Sequence, residues 1–130
     1  MAFYAAKEAL QTDLGLQQDI MFESIGLNLG NSNSRVHSDF VAPGAGVYLF
    51  SATLLTHTTP VEIHAAITVN GVPVAKIFGH ASSGRHDQGS QTVVVHLQAG
   101  DEVCVRNIVY VNTIYGGIYS SFSGVLLFDM

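Results

Sequence analysis

The chain of 130 residues has one cysteine, no tryptophan, three prolines and only five lysines and arginines. Each scarcity excludes something. A single thiol, Cys104, cannot close an intrachain disulfide, so the fold must hold through its core, and the redox compartment is left open. Five basic residues against ten acidic ones give a net charge of −5. The cationic patch that neutralises phosphates is missing, and nucleic acid is excluded as a partner. Charged residues make up 12% and hydrophobic ones 48%, too little charge to coat a monomer, so apolar surface is expected to meet another chain. No apolar run approaches the ~20 residues needed to span a bilayer, and a soluble protein without membrane insertion is expected. The opening residues, MAFYAAKEALQTDLG, lack both the basic start and the apolar run of a secretory signal. The protein is therefore expected to be intracellular or to have lost a leader. The length fits a single domain over 1–130, able to bury roughly two thirds of its unfolded surface.

What the sequence does contain is β pattern. Residues 38–55, SDFVAPGAGVYLFSATLL, join a turn built on Pro43, Gly44 and Gly46 to a strand whose two alternate sets are both apolar or small. One set is Tyr48, Phe50, Ala52 and Leu54; the other is Val47, Leu49, Ser51, Thr53 and Leu55. Beyond Pro60, Val61, Ile63, Ala65, Ile67 and Val69 alternate with Glu62, His64, Ala66, Thr68 and Asn70, a strand with one buried and one wet face. Asn70-Gly71 is a strong hairpin signal, because a type I′ turn needs positive φ at both central residues. Strands follow over 72–78, 92–97, 103–110 and 118–128. The last places Ile118, Phe122, Leu126 and Phe128 on one face. Upstream, 2–6 reads as a first strand, 7–16 as a loop with a turn of helix, and 20–29 as a further strand.

Many short strands with turns every 8–12 residues predict an antiparallel sandwich or barrel. Strands at 61–69 and 103–110 have a polar face, whereas those at 47–55, 92–97 and 118–128 do not. One wet and one dry sheet follow, and the dry outer face calls for a partner chain.

These residues resemble the C1q globular head domain family, of the tumour-necrosis-factor-like superfamily, over nearly the whole chain. The most specific match is Phe40, Pro43, Gly46, Val47, Tyr48 and Phe50 as F-x-x-P-x-x-G-V-Y-x-F, with the closing stretch Tyr119-Ser120-Ser121-Phe122-Ser123-Gly124 before Leu126 and Leu127. The family often has a glycine shortly before position 40, where this chain has Ser38 and Asp39. The resemblance implies a ten-stranded jelly-roll β-sandwich, a homotrimer and a secreted, extracellular pattern-recognition module. As implied ligands it gives glycans or microbial surface molecules. The alternative is a trimeric signalling or structural head that binds a protein receptor. The collagen-like stalk of many relatives is absent from this sequence, so stalk-dependent complement activation does not carry over.

Strand parity locates a candidate site. Consecutive antiparallel strands put 70–71, 99–101 and the last residue at one end, with tight turns. The connections 56–60, 79–89 and 111–117 fall at the other end and are longer and more polar. Binding residues concentrate on loops held by a rigid scaffold. Those loops supply His57, His80, Arg85, His86, Asp87, Asn112 and Tyr115, with the donors, acceptors and aromatic faces that sugars require. The competing reading is that they are only solvated loop residues. No cofactor is expected. The six histidines show no metal-ligand spacing, and calcium, which the resemblance allows near the top of the domain, finds Asp87 alone in its loop. No nucleophile elbow or paired histidine and glutamate set is visible, so no enzyme is expected. Cys104 reads as a small filler.

Overall fold

The computed structural model describes residues 1–30, 39–56, 62–82, 84–108 and 112–130, with Asn112 described by its backbone only. Eleven strands run through the described residues: β1 Ala2–Ala6, β2 Gln11–Leu14, β3 Ser24–Leu29, β4 Asp39–Val41, β5 Gly46–Leu55, β6 Glu62–Val69, β7 Val72–His80, β8 Gln88–Leu97, β9 Glu102–Asn107, β10 Asn112–Ile114 and β11 Ser121–Asp129. They form a five-stranded sheet in the order β3-β1-β11-β5-β8, a four-stranded sheet in the order β4-β9-β6-β7, and a short β2-β10 ribbon. All the pairings are antiparallel. The division of strands into two sheets follows the expected wet and dry sets.

The core lies between the sheets and is built on aromatics. Phe3, Phe40, Phe50 and Phe122 are buried. Their rings meet at 5.4 Å (Phe3 and Phe40), 5.3 Å (Phe40 and Phe50) and 5.1 Å (Phe3 and Phe122). Offset and edge-on contacts at such spacings add to area burial. On β5 the alternation settles the orientation: Tyr48, Phe50, Ala52 and Leu54 are buried, and Val47, Leu49, Ser51, Thr53 and Leu55 lie half-buried on the outside. Tyr48 donates its hydroxyl to the Gly44 carbonyl at 2.7 Å, tying the strand to the turn before it. Burial pushes its phenol pKa up.

Several expectations need correction. Residues 11–14 are a strand, because pairing with β10 outweighs the weak helical propensity there. Over 20–29, only the second half is a strand. Ile20 and Phe22 point into the core, while Ile25, Leu27 and Leu29 are exposed. The outer face of β6 is drier than its pattern suggested: Ala66 and Thr68 are buried, as is their neighbour Cys104. The last strand begins at Ser121, since Ile118 takes a left-handed φ of 60° in the preceding turn. A register shift between Leu126 and Phe128 then leaves Phe128 exposed. The resemblance implied ten strands, and the β2-β10 ribbon belongs to the eleven found here. Val109 lies outside the described residues.

The segment between β1 and β3 is held by buried polar groups. Lys7 is 1% exposed. Its Nζ donates to Gln11 Oε1 and to the Met21 carbonyl and lies 3.7 Å from Glu23. Burial lowers its pKa against the pull of Glu23. Asn107 donates to the carbonyls of Leu14 and Gly15, and Arg106 bonds Asp19 at 2.8 Å.

Candidate functional site

The described parts of the connections fall at the two ends that strand parity gives them. At the tight end, Asn70 Nδ2 donates to Asp101 Oδ1 at 3.0 Å and Met130 N donates to the Ala45 carbonyl, so the two short turns and the last residue lie together. At the opposite end, Thr56 closes β5 and organises the polar loop after β7. Its backbone N donates to the Asp87 carbonyl at 2.8 Å, and its hydroxyl accepts from Asp87 N at 2.7 Å. Its carbonyl accepts from His86 Nδ1. A carbonyl can only accept, so Nδ1 carries the proton and Nε2 is the acceptor of the neutral ring.

A second anchor fixes Tyr115. Its backbone N donates to the Leu55 carbonyl at 2.8 Å, and its carbonyl accepts from the buried Ser120 hydroxyl at 2.8 Å. That same Oγ accepts from Leu55 N at 2.9 Å. The two anchors bring three rings into line. His86 and Tyr115 meet edge to face at 4.9 Å and 65°, and Tyr115 and Tyr119 at 6.0 Å and 47°. Gly116 makes the approach possible, because a Cβ there would stand 2.3 Å from the Glu8 carbonyl oxygen. The following turn is bonded to the end of β1 through Gly117 N to Glu8 O and Ile118 N to Lys7 O. Tyr119 is thereby presented 60% exposed.

Of the seven residues proposed from sequence, the structure brings His86 and Tyr115 into contact and ties His80 and Asp87 together. Asp87 Oδ2 accepts from His80 N at 2.7 Å, so this carboxylate props the loop. Arg85 is exposed in the turn closed by its own N to the Ser82 carbonyl. His57 lies outside the described residues, and for Asn112 only the backbone is described. Sequence reasoning missed Tyr119, which it placed on a strand, and the supporting roles of Thr56 and Ser120. The Gly116-Gly117 pair was the available signal that a turn, and not a strand, precedes Ser121.

The strongly perturbed groups lie away from these loops and serve the scaffold. Burial pushes the Cys104 thiol up to about 12, which removes its nucleophilic form. A hydrogen bond with Asp39 raises Glu102, and burial adds to it. The register does place Glu62 and His64 on β6 opposite His80 and Phe78 on β7. Even so, no group of three metal-ligating side chains among the described residues could hold an ion. The arrangement can stack, donate and accept hydrogen bonds, and offer one guanidinium.

Comparison with known proteins agrees with this architecture. A family model described as the C1q domain matches residues 2–127. The complement C1q tumor necrosis factor-related protein 3 of Mus musculus is 31% identical over 112 residues, which is 85% of this chain and 45% of the relative. Caprin-2 of Danio rerio is 29% identical over 131 residues, 99% of this chain and 14% of the relative. The chain thus spans less than half the length of these relatives. Among solved structures, the globular domain of zebrafish complement 1qA superposes with a TM-score of 0.80 at 16% identity, covering 99% of this chain and 98% of that one. Eiger TNF from S. frugiperda gives 0.78 at 14%, covering 100% and 94%. At such identities these two show the fold.

Proposed function

The chain belongs to the C1q domain family, whose members are non-enzymatic recognition and signalling modules, and from that premise we propose that it is a trimeric, extracellular pattern-recognition protein of lectin type. It takes glycans or microbial surface molecules at the end of the sandwich formed by residues 80–82, 84–87 and 115–119. The observation that carries this reading is the ladder of His86, Tyr115 and Tyr119, fixed by Thr56 and Ser120. Aromatic faces beside a few convergent polar groups are what a sugar ring and its hydroxyls need. Holding them rigid before the ligand arrives lowers the ordering cost of binding.

Trimer formation is supported by the outer face of the five-stranded sheet. Register aligns Leu29, Ala2, Val125, Leu49 and Val94 in one row across all five strands. Leu29 and Val94 are more than half exposed. Covering such a row contributes roughly 25 cal/mol per Å² of apolar area removed from water.

A glycan array tests the reading, with binding to at least one saccharide class expected. Silence across the array would overturn it and favour the second reading, a head that binds a protein receptor. That second reading draws on the relatives named as tumor necrosis factor-related. It also draws on the exposed, rigidly held pair Ile118 and Tyr119.

A further inference from the structure

Just below the loop cluster, the outward face of β6 and β7 carries an unassigned surface. Cross-strand register sets His80 opposite Glu62, Phe78 opposite His64, and Lys76 opposite Ala66. Phe78 is 59% exposed although it is a large apolar ring. The His64 ring meets it edge-on at 5.8 Å and 82°. The bond from His80 N to Asp87 Oδ2 joins the top of this face to the loop that carries Arg85 and His86, so the two surfaces are continuous.

Charge narrows the kind of ligand that fits. Lys7 is buried beside Glu23, and Arg106 is bonded to Asp19. Among the described residues, the side chains of Lys76 and Arg85 have no such partner, and both are exposed. Of the described histidines, His64, His80 and His86 share this strip, and only His96 lies elsewhere. Within a chain of net charge −5, the described residues thus set Lys76, Arg85 and three of the four described imidazoles along one line, with Glu62 the opposing carboxylate on β6. Phe78 supplies a flat apolar face in the middle. The four strand steps from Lys76 to His80 span roughly 13 Å, longer than one sugar ring.

We propose that the strip running from Lys76 through Phe78 and His80 to Arg85 binds an acidic glycan, a chain of pyranose rings bearing sulfates or carboxylates. This rests on the recognition reading above and deepens it by naming the ligand class. One ring stacks on Phe78, acid groups pair with Lys76 and Arg85, and the imidazoles bond hydroxyls between them. Such pairs are solvent-exposed and therefore weaken with added salt.

The test is calorimetry with three hexasaccharides of equal length, one sulfated, one bearing only uronate carboxylates and one neutral. At least one acidic probe is expected to bind about tenfold or more tighter than the neutral one. Lys76→Ala and Phe78→Ala are each expected to weaken it roughly three- to tenfold, with Lys76→Arg retaining most of the affinity. Equal binding of neutral and acidic probes, or unchanged binding in both alanine variants, would overturn the proposal. If His86→Ala and Tyr115→Ala abolish binding while Phe78→Ala and Lys76→Ala do not, the loop reading stands and this inference falls. No binding of any saccharide would remove both.

Discussion

Gly124 on β11 lies opposite Phe50 on β5, and a Cβ at Gly124 would stand 2.7 Å from the Phe50 ring. Phe3, its partner on the other side, would be 2.6 Å away. The aromatic core closes only because this position has no side chain. Gly124→Ala should therefore push two rings off their positions, at a cost of about 1–3 kcal/mol. Thermal unfolding of the purified variant checks it, and an unchanged midpoint would show that the rings have room.

The outer face of the five-stranded sheet makes the trimer testable by charge. Leu49 sits half-buried in the apolar row, between Val125 and Val94. Leu49→Lys should leave the fold intact, because the side chain faces outward, while a buried lysine across a subunit contact is costly. Light scattering should give about three chains per particle for the native protein and one for the variant. A trimer in both would place the contact elsewhere.

The tight end of the molecule carries an acid-sensitive clasp. Asp101 accepts from Gln98 N at 2.8 Å and from Asn70 Nδ2 at 3.0 Å, and these two bonds, in that order, hold its pKa below the usual carboxylate value. A carboxylate with a depressed folded pKa contributes stability that is present above its unfolded pKa of about 3.9 and lost as pH falls through the folded value. The stability gap between the native protein and Asp101→Asn should hold steady above about pH 5 and close below about pH 4. Denaturant titrations across that range check it; a gap independent of pH would mean that the carboxylate charge contributes nothing.

Much of the fold was legible because the decisive residues are also the pattern-forming ones. The alternation at 47–55, the Asn70-Gly71 turn, with φ of 50° and 82°, and the sheet division all follow from side-chain period and turn chemistry. The close-approach glycines Gly46 and Gly124 sit in the two motifs that carried the family resemblance. A Cβ at Gly46 would stand 2.7 Å from Leu126. What stayed hidden depends on tertiary contact. The burial of Ala66, Thr68 and Cys104 comes from neighbours on β9 and β7, and the strand at Gln11–Leu14 exists through its pairing with β10. Tyr119 looked like a strand residue until the turn at Ile118 turned it toward Tyr115. The candidate loops could be assigned to one end by parity, but the ring ladder rests on Thr56 and Ser120, whose bonds are invisible to sequence pattern.

The most direct measurement is a calorimetric titration of the best-binding array glycan against the native protein and against Arg85→Ala, His86→Ala and Tyr115→Ala, with Asp101→Asn at the opposite end as control. The ring ladder predicts that His86→Ala and Tyr115→Ala weaken binding about tenfold or more, an effect of roughly 1.4 kcal/mol each. Arg85→Ala should weaken it less, and Asp101→Asn should match the native protein, all with three chains per particle. Native affinity in all three loop variants would contradict the assignment of ligand recognition to this end of the molecule.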